Sequence, residues 1–271
     1  MADFAAAVAP RASMLVADDG TEIAHYRWEP DAGTEPHPVP VVLQHGFAAH
    51  AMVEWVDPGV VAALTADGRS VVGVDARGHG RSGKSADPAR YGEPRMVRDL
   101  CAIIDTLDVP SVDLVGYSMG AIIALLTAAA RPDVRRLVVS GVGAGTVEVG
   151  GVDTRVLPND VLAEALLAVG PTPVPPEVAG LRAFAEVVGA DLPSLAAQAR
   201  SAHQGGIDLT AVTARTLVIT GDDDPLARRP HVLADALPDA RLLVVAGDHG
   251  TTLGNPDFTS AVVEFLGGRR G

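Results

Sequence analysis

The run Val112-Asp113-Leu114-Val115-Gly116-Tyr117-Ser118-Met119-Gly120-Ala121-Ile122-Ile123-Ala124 constrains this chain more than any other stretch. A short β-branched segment ends in Gly-x-Ser-x-Gly, and an Ala/Leu/Ile-rich helical segment follows at once. Strand, sharp turn and helix leave a serine at the apex, in a strained backbone conformation. Side chains at Gly116 and Gly120 would collide where strand and helix cross, so both positions take glycine. Ser118 Oγ is thereby lifted clear of the sheet. The backbone N–H of Met119 opens the helix, where unpaired amides and the helix dipole favour an anion. A tight turn that merely tolerates serine is the competing explanation, and the rest of the chain has to decide.

That rest alternates strands with helices. Residues 14–28 read as a hairpin turned by Asp18-Asp19-Gly20. A Pro-rich loop leads to a short apolar strand, Val41-Val42-Leu43-Gln44, which ends in His45-Gly46-Phe47. Asp57-Pro58 predicts a helix start, with Asp57 as N-cap and Pro58 in the first turn. The next strand, Val71-Val72-Gly73-Val74-Asp75, runs into Arg77-Gly78-His79-Gly80-Arg81-Ser82-Gly83. Residues 93–107 form an amphipathic helix, and residues 136–140 another strand after the Ser118 unit. From 141 to about 208 three helical segments, 159–169, 176–188 and 192–204, have no convincing strand after them. Alternation resumes with a strand at 216–220, a helix at 229–237, a strand at 242–245 and a last helix at 256–266. The expected class is α/β: a mostly parallel twisted sheet with helices on both faces. Residues 1–140 and 209–271 form its core, and residues 141–208 an inserted helical cap.

Composition narrows the partners. The 271 residues carry a formal net charge of −13, which argues against nucleic acid or an anionic membrane surface. Hydrophobic residues make up 48% and charged residues 20%, a globular balance. Cys101 is the single cysteine, so an intramolecular disulfide and a thiolate-rich metal site are both excluded. His45, His50 and His79 lack metal-motif spacing, and no metal or other cofactor is expected. The opening Met-Ala-Asp-Phe has an early acid and no basic region, a poor secretory signal, and no apolar run is long enough to span a bilayer. A cytoplasmic protein is the expectation.

A serine hydroxyl needs a base within hydrogen-bond reach, and the base needs an orienting acid. In open parallel sheets such groups gather beyond the carboxyl ends of the strands. Gly221-Asp222-Asp223-Asp224-Pro225 follows one late strand and Gly247-Asp248-His249-Gly250 the next. The order is Ser, Asp, His, each on a strand-end loop. With these motifs, His45-Gly46-Phe47 and Asp75-x-Arg77-Gly78-x-Gly80-x-Ser82, the chain resembles the α/β-hydrolase superfamily over nearly its whole length outside the cap. The resemblance implies Ser118 as nucleophile, His249 as base and, from the spacing Gly-x-x-Asp, Asp224 as the acid, with Asp222 and Asp223 as turn or capping residues. It implies Met119 and Phe47 amides as the oxyanion donors, with His45 bracing that loop. Family members often carry Gly-His-aromatic where this chain has Asp248-His249-Gly250, so one expected pocket wall is missing. Tyr117 and Trp55 are expected at the pocket mouth.

The implied activity is hydrolysis of a small to medium carboxylic ester through an acyl-enzyme. Thioesterase, lactonase, carbon–carbon bond hydrolase and cofactor-free perhydrolase chemistry stay open on the same residues. A serine at position 118 argues against the dehalogenase and epoxide hydrolase branches, which use Asp there. The alternative outside enzymes is a receptor-like, ligand-binding member of the fold. An apolar patch on the cap serves equally as a dimer contact, and the homo-oligomeric state stays open.

Overall fold

The computed structural model describes residues 9–170 and 173–267. The N-terminal residues that read as a poor secretory signal therefore lie outside the described residues. Eight strands form one sheet: β1 (Arg11–Val16), β2 (Glu22–Trp28), β3 (Val41–Gln44), β4 (Val71–Val74), β5 (Val112–Tyr117), β6 (Val134–Ser140), β7 (Arg215–Gly221) and β8 (Ala240–Val245). Their spatial order is β1-β2-β4-β3-β5-β6-β7-β8. β1 pairs antiparallel with β2, and β2 antiparallel with β4, as the hairpin pattern predicts. From β4 onwards every pairing is parallel. β3, β4 and β5 are buried along their whole length, which explains their unbroken apolar runs.

Helices cover both faces. On one lie α1 (Val60–Ala66) and the last helix, α9 (Pro256–Gly267), whose Val61, Leu64, Phe258 and Val262 pack with Trp28, Leu43 and Val138. On the other lie α2 (Glu93–Asp105), α3 (Met119–Ala130) and α8 (Pro230–Ala236), whose Leu100, Ile122 and Leu233 pack with Val42, Leu114 and Val218. These helices stack apolar side chains onto an apolar sheet, the main stabilising term here.

Between β6 and β7 lie α4 (Ala144–Glu148), α5 (Asn159–Leu167), α6 (Pro176–Val187) and α7 (Leu192–Arg200). The short α4 has no counterpart in the expected elements; its Ala-Gly-Thr-Val-Glu sequence carries no amphipathic period to read. α5, α6 and α7 bury Leu162, Leu166, Val178, Ala185 and Leu195 in a cluster that also takes in Ala48 of the loop after β3 and Leu226 of the loop after β7.

One expected helix start is corrected. Asp57-Pro58 does not open α1. The chain first makes a π-helical turn, Met52–Val56, closed by the Asp57 N–H donating to Met52 O at 3.0 Å. Gly59, at φ 86°, then reverses the chain into α1, a left-handed geometry that glycine adopts without strain. The Asp-Pro pair mimics a cap, but Asp57 is already helical, at φ −60° and ψ −42°.

Candidate active site

β5 and α3 deliver Ser118. Its backbone sits at φ 54° and ψ −118°, a conformation that a non-glycine residue keeps only under constraint. Here the Ser118 N–H donates to Ser140 O on β6 at 2.8 Å, and α3 begins at the next residue. The crossing is as close as the glycines suggest. A Cβ on Gly116 would stand 2.3 Å from Gly120 O, and one on Gly120 2.1 Å from Gln44 O.

His249 and Asp224 arrive on the loops after β8 and β7. His249 Nε2 lies 3.0 Å from Ser118 Oγ. His249 Nδ1 lies 2.9 Å and 3.1 Å from the two Asp224 oxygens. Asp224 is buried and also accepts the Leu226 N–H at 2.9 Å. An Nδ1–H held by this carboxylate leaves the Nε2 lone pair facing the serine hydroxyl. The imidazole can then take the serine proton while the acid stabilises the resulting cation.

The neighbouring aspartates do other work. Asp222 Oδ1 accepts the Gly247 N–H at 2.9 Å, and the Asp223 N–H donates to Gly247 O at 3.1 Å. Both stitch the β7 loop to the β8 loop. Asp248 accepts the Gly250 and Thr251 N–H groups, at 2.9 Å each, and so shapes the turn that carries His249.

Met119 follows Ser118 as the first residue of α3, and the β3 loop that carries Phe47 comes against Ser118 at Gly46, where a Cβ would stand 3.2 Å from Ser118 Cβ. Among the described residues neither the Phe47 nor the Met119 amide donates to a protein acceptor. His45 holds the β3 loop. Its Nδ1 pairs with Gly46 O at 2.7 Å, and its Nε2 accepts the Ala76 N–H at 2.9 Å. That pair of contacts requires the neutral Nδ1–H tautomer, and burial lowers the pKa of the ring in the same direction. Gly46 C=O and Phe47 N–H share one peptide plane, so fixing the carbonyl aims the amide the opposite way.

Trp55 differs from expectation. Trp55 is fully buried among Trp28, Val61, Leu64 and Phe258, so it offers a substrate no surface. The π-helical turn points it into the sheet's α1/α9 layer, a direction that sequence spacing could not reveal. Tyr117 is also buried, and its hydroxyl donates to His249 O at 2.6 Å. Its ring lies 5.2 Å from the His249 ring, tilted 43° to it. It positions the histidine loop. Burial, with Asp224 and Glu54 nearby, holds the Tyr117 phenol well above its ordinary pKa.

Two further groups escaped the sequence reading. Asp75 Oδ1 accepts the Ala51 N–H at 2.9 Å, and its Oδ2 accepts the Tyr26 hydroxyl at 2.9 Å and the Arg81 N–H at 2.8 Å. It ties the end of β4 to the turn behind the Phe47 loop; its place in the Asp-x-Arg-Gly motif was the available signal. Glu54, buried on the π-helical turn, accepts the Gly46 N–H at 2.7 Å. No sequence pattern marked it.

The family profile of the alpha/beta hydrolase fold matches residues 39–173. A 2-hydroxymuconate semialdehyde hydrolase of Pseudomonas sp. (strain CF600) is 30% identical over 246 residues, covering 84% of this chain and 86% of the relative. One of the same name from Pseudomonas putida is 31% identical over 217 residues, covering 73% and 77%. The chain belongs to the α/β-hydrolase family. As an α/β-hydrolase it is an enzyme of the hydrolase class. An esterase from Exiguobacterium antarcticum superposes with a TM-score of 0.75 at 23% identity, over 95% of this chain and all (100%) of that one, a likeness of fold. Among the described residues of this hydrolase, no group of three or more His, Cys, Asp or Glu side chains is arranged to hold a metal ion. No described helix is long and apolar enough to cross a membrane.

Proposed function

We propose that the protein is a serine hydrolase that cleaves a small to medium carboxylic ester through an acyl-enzyme. The observation that carries this reading is His249 Nε2 at 3.0 Å from Ser118 Oγ, with both Asp224 oxygens on Nδ1. In the proposed cycle His249 takes the Ser118 proton as Oγ attacks the carbonyl carbon. The Phe47 and Met119 amides hold the tetrahedral oxyanion. His249 next protonates the departing alcohol. Water then attacks the acyl-enzyme with His249 as base, and Ser118 is released with its proton restored.

An uncharged acyl group fits best. Phe47 and Ala48 of the oxyanion loop and Leu226 of the acid loop meet Leu157 and Leu162 of the inserted segment in one apolar cluster. In this reading residues 141–208 act as a cap that sets acyl size, and the small-molecule substrate is the principal partner. A second reading is favoured by the two relatives above. They are named for hydrolysing 2-hydroxymuconate semialdehyde, a name that contains no ester, which suggests hydrolysis of a carbon–carbon bond with the same serine.

Turnover of p-nitrophenyl acyl esters of graded length tests the primary reading. Activity on short chains that vanishes in Ser118→Ala supports it. A wild type inactive on every ester, yet able to cleave a vinylogous keto acid, would replace it with the second. Labelling of Ser118 by a fluorophosphonate with turnover of neither substrate class would favour a receptor-like role.

A further inference from the structure

Gly46 is pinned from both sides, and one of its two anchors is an acid. His45 holds its carbonyl, and Glu54 holds its N–H at 2.7 Å. A Cβ built on Gly46 would meet Ser118 Cβ at 3.2 Å, Tyr117 O at 3.2 Å and Glu54 Oε1 at 3.4 Å. The Glu54 carboxyl and Ser118 thus both border the space beside Gly46 Cα. Glu54 is carried by the π-helical turn, whose irregular winding presents Glu54 and Trp55 to the interior as consecutive buried residues. Such single turns often occur at functional positions.

We infer that Glu54, in its neutral form, is a positioning residue for the oxyanion loop, and that ionising it switches the hole off. This rests on the serine-hydrolase reading above. Neutral Glu54 accepts the Gly46 N–H and adds no charge. As a carboxylate it would set a second negative charge beside the one developing on the substrate oxygen, in a site that screens poorly.

The surroundings favour the neutral form. Among the described residues no ion pair reaches Glu54, and burial pushes its carboxyl up to about 8 against the opposing effect of the Gly46 N–H. The ionisable groups nearby are Tyr117 on β5, His45 on the oxyanion loop, His50, whose carbonyl accepts the Glu54 N–H, Asp75, which holds the Ala51 N–H at the start of the same turn, and Asp224 with His249 around the Tyr117 ring. His45 and Tyr117 are held neutral by burial, so neither offers Glu54 a countercharge.

The test compares wild type, Glu54→Gln and Glu54→Leu by ester kcat and by the rate of Ser118 phosphonylation, from pH 6 to 10. Glu54→Gln keeps the acceptor and cannot ionise. Both wild-type rates should fall at least tenfold above about pH 8, while Glu54→Gln keeps its neutral-pH rates into the alkaline range. Glu54→Leu, which strands the Gly46 N–H, should lose about 10- to 100-fold at every pH, with kcat falling and KM nearly unchanged. Identical alkaline limbs in wild type and Glu54→Gln would overturn the proposal, as would Glu54→Leu with wild-type kcat. If the wild type is phosphonylated but turns over no ester, the ester reading fails and the labelling rates alone decide Glu54. A wild type that is neither labelled nor active would sink both.

Discussion

The strand-end loops and the helices between β6 and β7 hold their residues in different ways. The loops are fixed by short, buried, directional contacts: Ser118 N–H on Ser140 O, Asp224 on His249 and Leu226, His45 on Gly46 and Ala76. The inserted helices rest on a cluster of aliphatic side chains, and much of their outer face is bare: Val187 is 85% exposed. Among the described residues, polar ties to the core come from α4, whose Glu148 pairs with Arg229 at 2.7 Å, and from α7 and the residues just after it. Gln198 Oε1 accepts the Gly92 N–H at 3.0 Å, and Gln198 Nε2 reaches Met119 Sδ at 3.8 Å. Ser194 Oγ accepts the Ser85 N–H at 3.1 Å, and Glu93 accepts the His203 N–H at 2.6 Å. Directional bonds tolerate displacements of only tenths of an ångström, whereas aliphatic packing tolerates exchange of similar volumes. The core can therefore hold a fixed chemistry while α5 and α6 vary in sequence.

The largest expected effects test the core side of this contrast. Ser118→Ala and His249→Ala should each lower kcat by about 10⁴- to 10⁶-fold. Asp224→Asn should lower it by about 10⁴-fold, since the amide favours the wrong imidazole tautomer. Asp223→Asn should change it less than about threefold. Parity between the two Asn variants in ester kinetics would remove Asp224 from its place.

Next comes Gly120→Ala. Its Cβ meets a backbone carbonyl, Gln44 O, at 2.1 Å, and main chain cannot rotate away. A loss of about 3–5 kcal/mol in urea unfolding is expected. A loss under about 1 kcal/mol would mean that the crossing is less rigid than the contrast requires.

The joint between the two regions gives a pH-dependent effect. Burial pushes the Glu93 carboxyl up to about 7, against the His203 N–H that favours its ionised form. Between the ordinary glutamate value and about 7, the unfolded chain releases a proton that the folded chain keeps. Stability should therefore fall as pH rises across that window and level off above it. Glu93→Gln keeps an acceptor for His203 and should remove this slope, on the order of 1–3 kcal/mol between pH 4.5 and 7.5. Parallel stability–pH curves for the two proteins would show that α2 and the loop after α7 are not joined through a protonated acid.

The smallest effect belongs to the outer face of α6. Val187→Ser should shift stability by less than about 0.5 kcal/mol and leave kcat unchanged. A larger loss, or a change in sedimentation, would show that this face is covered in solution and that the inserted helices are more constrained than their contacts suggest.

The parallel sheet, its hairpin edge and the bounds of most elements were legible because each rests on local signals. β3, β4 and β5 are short β-branched runs buried on both faces, and α2 and α9 start at Pro-containing turns. The predicted helix start at Asp57 failed because a capping pattern does not distinguish the first turn of an α-helix from the exit of a π-helical turn. Trp55 departs from the expected pocket mouth for a related reason. Sequence gives spacing along the chain, but a side chain's direction near an irregular turn depends on what it packs against.

The sequence by itself determined the sharp turn that carries Ser118 and the order in which the serine, the aspartate run 222–224 and His249 follow strand ends. Gly-x-Ser-x-Gly between a strand and a helix has few backbone solutions, and strand ends gather on one edge of a parallel sheet. Tertiary structure decided which groups hold those residues in place. Tyr117 on the His249 carbonyl, Asp75 on Ala51, and Glu54 on Gly46 join positions 132, 24 and 8 residues apart. Such bonds leave no local trace, because each becomes favourable only when folding removes water from both partners, and burial is a property of the assembled sheet and helices.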